Sequence, residues 1–350
     1  MKTYNIAVVP GDGIGQEIVP EGIRVIDAVA AGYFKCDYTF FPYSAEHYQK
    51  TGEFMPSNAL EILRPFDAIY FGAIGHPDVD DTLPATRYTF RVRKGFHQYV
   101  NYRPIKILPG VPSPLRAAKA GEVDFVIVRE NTEGEFSETG NIIHPETPGG
   151  FAIQTSIFTR HGIERVAHYA FQLARKRKGL VTNVTKSNTL IHSMLYWDQL
   201  IGDIARAYPE VKYERMYVDN ASANFILRPQ HFDVILTTNM IGDILSDLGG
   251  ALMGSLGLAP SGNINPEKEY PSMFEPIHGS APDIAFKGIA NPVSAIWSGA
   301  LMLEHLGEDE AAQRIEAAIC TALSDRSNWP ADLGGTTATT DVTDSIISVL

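Results

Sequence analysis

The 350-residue chain is short of cysteine, of positive charge and of long apolar runs, and each shortage excludes something. Its two cysteines, Cys36 and Cys320, lie far apart and share no metal-ligand spacing, which points to a reducing compartment rather than a disulfide framework. With 29 Lys and Arg against 41 Asp and Glu, the formal charge is −12. That balance argues against a general nucleic-acid or membrane-surface binder, because binding to phosphates needs a basic surface. An anionic ligand must then meet a local cluster of cations. The most apolar later segment, Ile289 to Leu306, is broken by Asn291, Pro292 and Glu304, so it reads as a core helix and not a membrane span. The first residues enter an apolar strand with no h-region or cleavage site, which predicts a cytoplasmic protein. In such a chain the sequon Asn183-Val184-Thr185 has no consequence.

What is present is an ordinary globular composition, 44% apolar and 20% charged, at a length that suggests about two domains or lobes. Short β-branched runs at Ile6–Val9, Ala68–Phe71, Val123–Val128, Leu180–Val184, Met216–Val218 and Phe232–Leu236 read as strands. Between two of them, Ile163, Val166, Ala167, Ala170, Phe171 and Ala174 fall on one helical face. The alternation predicts a mostly parallel, layered α/β fold. The run Arg175-Lys176-Arg177-Lys178 reads as a solvated, dipole-favoured helix end in preference to a nucleic-acid patch.

Near the start, "AVVPGDGIGQEI" (7–18) looks like a dinucleotide loop but fails on spacing. Gly11 and Gly13 satisfy G-x-G, yet Gln16 stands where the third glycine belongs, and no acid ends a second strand at the usual distance. The loop also lacks Gly-Lys-Ser/Thr and is no P-loop. It reads as a tight strand-to-helix turn that needs glycine dihedrals.

Charged residues placed after strands are more informative. Arg129 follows "VDFVIV", Lys186 follows "LVTNVT", Asp219 follows "MYV" and Asp243 follows "VILTTNMIG". In an open α/β sheet ligands bind beyond the carboxyl ends of the strands, so four such charges suggest one site. Asp243 and Asp247 are four apart, which on a helix places both carboxylates on one face. Together with a third carboxylate they suit a hard divalent ion such as Mg²⁺ or Mn²⁺; the alternative is a pair that satisfies the helix dipole. Arg87, Arg91, Arg93 and Arg103 crowd into "RYTFRVRKGFHQYVNYRP", with Arg129 in "IVRENTEG". Guanidiniums beside a carboxylate-bound metal imply a small anion with more than one carboxylate, although Arg87 and Arg91 read equally well as surface residues. Small residues in "FEPIHGSAPDIAFKGIANP" (274–292) allow close backbone approach to a flat or phosphorylated ligand, and Asp283 suits an adenosine ribose.

In order and spacing, "PGDGIG", "VRENTEG", "TKSN", "TTNMIGDILSDLGG", "FEPIHGSAPDI", "GIANP" and "DLGGTT" resemble the β-decarboxylating dehydrogenases, the isocitrate/isopropylmalate dehydrogenase family, over nearly the whole chain. The resemblance implies an open layered α/β fold that is not Rossmann, with two lobes and a cleft between them. It implies a cofactor lobe of 1–99 with 252–350, a dimerisation and substrate/metal lobe of 100–251, and a homodimer with shared active sites. It also implies NAD, a divalent metal (Mn²⁺ or Mg²⁺) and K⁺ as a further ion. Residue by residue, Arg93, Arg103 and Arg129 match the substrate-carboxylate arginines, and Asp219, Asp243 and Asp247 match the metal carboxylates. Lys186 and Asp219 are expected to reach the partner's site. Ile14, Gly75, His278, Gly279, Ser280, Ala281, Asp283, Ile284 and Asn291 match the cofactor-binding positions.

On this resemblance the metal chelates the substrate hydroxyl and its neighbouring carboxylate, and Lys186 takes the hydroxyl proton directly or through water. Hydride passes to NAD, and the metal accepts charge as CO₂ departs. One position departs from the family: where a Tyr usually stands seven residues after the third arginine, this chain has Phe136, which has no proton to give. Either water or Lys186 then acts as the acid, or decarboxylation is weak, or the chain is a degenerate member. The segment Thr86-Arg87-Tyr88-Thr89-Phe90-Arg91 contains none of the leucines that hold the isopropyl group in isopropylmalate enzymes, and none of the Ser/Asn pair of isocitrate enzymes. Other stretches look most like the tartrate and D-malate members, so a four-carbon hydroxy diacid is the expected substrate. The alternatives are 3-isopropylmalate, with Phe90 or Phe136 as an apolar wall, and a non-catalytic regulatory subunit, which should have lost site residues where this chain has kept all six.

Overall fold

The computed structural model describes residues 1–115 and 120–350. Among them the strands are, in chain order, β1 (Lys2–Gly11), β2 (Phe34–Phe40), β3 (Ala68–Ala73), β4 (Val100–Lys106), β5 (Asp124–Glu130), β6 (Gly134–Ile143), β7 (Phe151–Ile157), β8 (Leu180–Thr185), β9 (Lys212–Tyr217), β10 (Val234–Thr237), β11 (Pro260–Ile264) and β12 (Ser272–Pro276). Helices alternate with them, giving the mixed α/β sheet architecture of the family that the motifs resemble. The chain divides into two compact units, one of residues 1–98, 103–124 and 247–350, the other of 99–102 and 125–246. Residues 103–115, 120–124 and 247–251, inside the expected 100–251 lobe, fall in the first unit.

In the first unit β1 pairs in parallel with β2 and β3, β3 with β12, and β12 runs antiparallel to β11. The antiparallel pair sets this sheet apart from a doubly wound parallel one. β3 is buried along its whole length, as an apolar run covered on both faces should be. The helix Val293–Leu306, buried at eleven positions, is the core helix expected from the sequence. Its Ala295 carbonyl accepts a 2.7 Å bond from the Tyr70 hydroxyl of β3. No helix among the described residues is long and apolar enough to cross a membrane.

In the second unit β5, β10, β8 and β9 pair in parallel. The helix Arg160–Arg175 buries Ile163, Val166, Ala167, Ala170, Phe171 and Ala174, the face its periodicity predicts. Its basic end is solvated as expected at Arg175, Lys176 and Lys178, with Arg177 alone drawn inward. The Arg177 guanidinium bonds the buried Asp233 carboxylate at 2.9 Å, just before β10, and Arg175 pairs with Glu210 at 2.7 Å, in the turn before β9. The expected strand Met216–Val218 stops at Tyr217; Val218 opens a helix to Leu227 that carries Asp219 in its first turn. The antiparallel ribbon β6–β7 leaves Ile142, Phe151 and Ile153 half-exposed or more.

Candidate active site

The glycine turn after β1 is built on backbone contacts within the first unit. Gly11 and Gly13 have φ of 73° and 56°, and a Cβ on Gly13 would overlap the Ser280 carbonyl oxygen. Only a glycine allows that approach, which lets the Ile14 amide donate to the same oxygen at 2.9 Å. Asp12, 2% exposed, secures the turn: its carboxylate accepts from the amides of Ala45, Glu46 and Gly75 at 2.7, 3.0 and 3.0 Å. Glu17, one helical turn on, accepts from the amides of Phe286 and Gly288 at 2.5 and 2.9 Å. Glu17 thus clamps the turn to the 278–291 loop, while Asp12 ties it to residues 45–46 and 75; neither acid stands out in the sequence. Their signal was position, since each lies within a few residues of a glycine.

That loop combines a fixed base with an open rim. His278 Nδ1 faces the Gly279 carbonyl at 2.9 Å; a carbonyl only accepts, so Nδ1 carries the proton. Burial lowers the ring's pKa, and neutral Nε2 accepts from the Ser294 hydroxyl at 2.8 Å. Ala281 has φ of 41°, and Asp283 is exposed with Ile284 partly buried beside it. Ile14 is 5% exposed and packs with Ile18, Ala290 and Ala295, against Ala281 and Ile284. Asn291 serves the backbone too: its oxygen accepts from Val293 N at 3.0 Å, and its amide donates to Asp332 at 3.0 Å. Gly75 lies within reach of Ser280 Oγ, and a Cβ on Gly279 would meet nothing within 4 Å. Bare backbone at 279, glycine on the facing turn and an exposed acid four residues on fit the adenosine half of a dinucleotide.

Also in the first unit, Arg93 is 7% exposed and donates at 2.9 Å to Glu275, which accepts from Asn263 at 2.6 Å. Arg103 is 6% exposed, and its guanidinium lies 3.8 Å from the Asp247 carboxylate. Glu275 was not foreseen as a site residue; an acid in the otherwise apolar strand "SMFEP" was the available signal.

In the second unit Arg129, 2% exposed, donates from Nε and Nη2 to Asn239 Oδ1 at 2.9 and 2.6 Å and pairs with Asp243. The Asn239 carbonyl thus fixes the guanidinium plane. The Phe136 ring lies under the same group, 5.5 Å from guanidinium carbon to ring centroid. Gly242 gives Arg129 room, since a Cβ there would press on its stem. Glu130, the next residue, is fully buried with a raised pKa, and it accepts from Thr132 and Glu133 to tighten the turn after β5. Lys186 follows β8 directly and its ammonium pairs with Asp219.

Asp243 and Asp247 share the helix Asn239–Met253 at a four-residue interval. Both carboxylates are largely accessible, 47% and 63% exposed. Among the described residues no group of three His, Cys, Asp or Glu side chains is placed to hold a metal. The donor chemistry fits a hard divalent cation, being oxygen alone and doubly negative on one face.

Residues 5–346 match the isocitrate/isopropylmalate dehydrogenase family. The tartrate dehydrogenase/decarboxylase of Pseudomonas putida is 47% identical, over 99% of this chain and 98% of that protein. The decarboxylating D-malate dehydrogenase of Escherichia coli is 45% identical, over 100% and 99%. Among solved structures, isocitrate dehydrogenase from Methylococcus capsulatus superposes with a TM-score of 0.89 at 34% identity, covering 99% of this chain and 98% of that one.

Proposed function

The chain belongs to the isocitrate/isopropylmalate dehydrogenase family, a decarboxylating hydroxy-acid dehydrogenase in kind, and from that premise we propose that it oxidises D-malate or tartrate with NAD and a divalent metal. The observation that carries this reading is the set of three buried guanidiniums, Arg93, Arg103 and Arg129, each held against a carboxylate in a chain of net charge −12. Such a set suits a substrate with two carboxylates. The segment 86–91, which has no leucine, leaves an isopropyl group without aliphatic partners, worth about 0.8 kcal/mol per CH₂.

In this reading Asp243 and Asp247 hold the metal together with the partner's Asp219. A metal bound there would supply Lewis-acid polarisation of the hydroxyl and its adjacent carboxylate, and NAD would supply the hydride acceptor. Arg93, Arg103 and Arg129 orient the carboxylates, exchanging their present acidic neighbours for substrate. The partner's Lys186, once its ammonium has given up a proton to solvent and the partner's Asp219 has turned to the metal, would take the hydroxyl proton as a neutral amine, directly or through water. Phe136 shapes the wall beside Arg129 and leaves the late proton to water or the partner's Lys186. Ile14, Gly75, His278, Gly279, Ser280, Ala281, Asp283, Ile284 and Asn291 form the cofactor surface, where the Asp283 carboxylate accepts from the ribose hydroxyls and repels a 2′-phosphate. The first unit would form the cofactor lobe and the second the dimerisation lobe. Exposed Phe151, Ile153, Ile191, Leu195, Leu227 and Ile244, all in the second lobe, supply the apolar area for a homodimer.

The test is NADH formation at 340 nm with NAD, Mn²⁺ and K⁺ against D-malate, tartrate, 3-isopropylmalate and isocitrate. Turnover of D-malate or tartrate is expected, abolished by EDTA. No turnover of any substrate would overturn the reading, and preference for isopropylmalate would overturn the substrate assignment alone.

A further inference from the structure

The first unit contains a cleft that the proposed chemistry does not use. It has a volume of about 400 Å³ and opens between residues 48–57 and 83–91. Arg87 and Arg91, for which the sequence offers both a site and a surface reading, both line it. Arg91 donates to the Ser57 carbonyl, whereas Arg87 makes no hydrogen bond or ion pair within the described residues. Glu53 lines the same cleft and makes no ion pair among the described residues. Its apolar wall is the Tyr48–Phe54 pair, stacked at 4.6 Å and 12°, together with Met55. The segment bearing the arginines includes a π-helical turn, Ala85–Thr89, a feature frequent at functional sites.

We propose that this cleft binds an α-amino acid with an apolar or aromatic side chain. Two arginines four residues apart, with Arg87 unengaged, match a single carboxylate, which an arginine grips through parallel N–H bonds. Glu53 supplies the counter-charge for an ammonium, and its presence disfavours a polyanion. Stacked rings with a methionine offer a surface for a flat or branched side chain. The volume suits a ligand of that size, since small-molecule pockets start at about 300 Å³. A free Arg87 beside an acid it does not pair with is a charge pattern completed by a zwitterion.

Calorimetric titration of the full chain tests this with L-phenylalanine and L-leucine, and with 3-phenylpropionate and inorganic phosphate as separate arms. One site per chain is expected for at least one amino acid, with 3-phenylpropionate at least about tenfold weaker for want of an ammonium. Arg87→Gln should weaken the amino acid about tenfold or more, and Glu53→Gln should erase the preference over 3-phenylpropionate. Far-ultraviolet dichroism verifies that both variants fold. No heat with either amino acid, or unchanged affinity in Arg87→Gln, overturns the proposal, as does Arg87-dependent binding of phosphate alone. Heat of binding does not depend on turnover, so the result stands apart from the substrate assignment.

Discussion

The glycine turn with its 278–291 loop and the arginine–carboxylate set are built in opposite ways. In the first, carbonyls and amides meet directly and the side chains that matter, Asp12 and Glu17, bind only backbone amides. In the second, backbone only positions the roots, and guanidiniums meet carboxylates and one amide, as Arg129 meets Asp243 and Asn239. A region of the first kind is sensitive to volume and indifferent to charge. A region of the second kind tolerates changes of shape and fails on changes of chemistry.

Arg129→Lys separates the two most sharply. It keeps the charge and loses the fork onto Asn239, so kcat/KM should fall by about 10²–10³ while urea unfolding shifts by about 1 kcal/mol. A stability loss as large as the activity loss would erase the distinction. Gly13→Ala should do the reverse, costing about 2–4 kcal/mol of stability through its left-handed φ and its overlap with Ser280. Thermal melts read that loss, and NAD affinity should fall with it. Smaller is the pH effect at His278. Its folded pKa lies below the ordinary 6.5, so below that pH the unfolded chain binds a proton that the folded one refuses. Stability should therefore fall as pH drops from 6.5 toward the lowered value, and His278→Asn should flatten that limb; an unchanged limb would assign it to other groups. Phe136→Tyr should have the smallest effect, under about 1.4 kcal/mol in any rate, but it should raise the ratio of CO₂ released to NADH formed. An unchanged ratio would show that the hydroxyl is not the missing acid.

Elements with a strong period were legible in the sequence. The helix Arg160–Arg175 and the buried helix Val293–Leu306 form because their apolar spacing has one packing solution. The candidate arginines and aspartates were legible as motif positions, and Lys186 and Arg129 do stand at the ends of β8 and β5. Less visible was what holds them. Glu275 is 182 residues from Arg93, and Asn239 is 110 from Arg129, so neither partner leaves a local pattern. Asp12 was hidden for another reason: glycines on both sides drew the reading to the turn, whereas the acid between them bonds three amides distant in sequence. Val218 was read as strand because a single β-branched residue says little about which element it opens.

The order in which the ribosome releases these parts has its own consequence. Apart from residues 99–102, the second unit is the contiguous run 125–246, whereas the first needs 247–350 to complete it. At about 5–20 residues per second, those last residues take roughly 5–20 s to appear. Until about a third of that interval has passed, β3 lacks its neighbour β12, and the Gly13 turn lacks the Ser280 carbonyl it docks on. The nascent N-terminal segment thus waits with one flank of a fully apolar strand open, which makes it the stretch of this chain with most to gain from a chaperone.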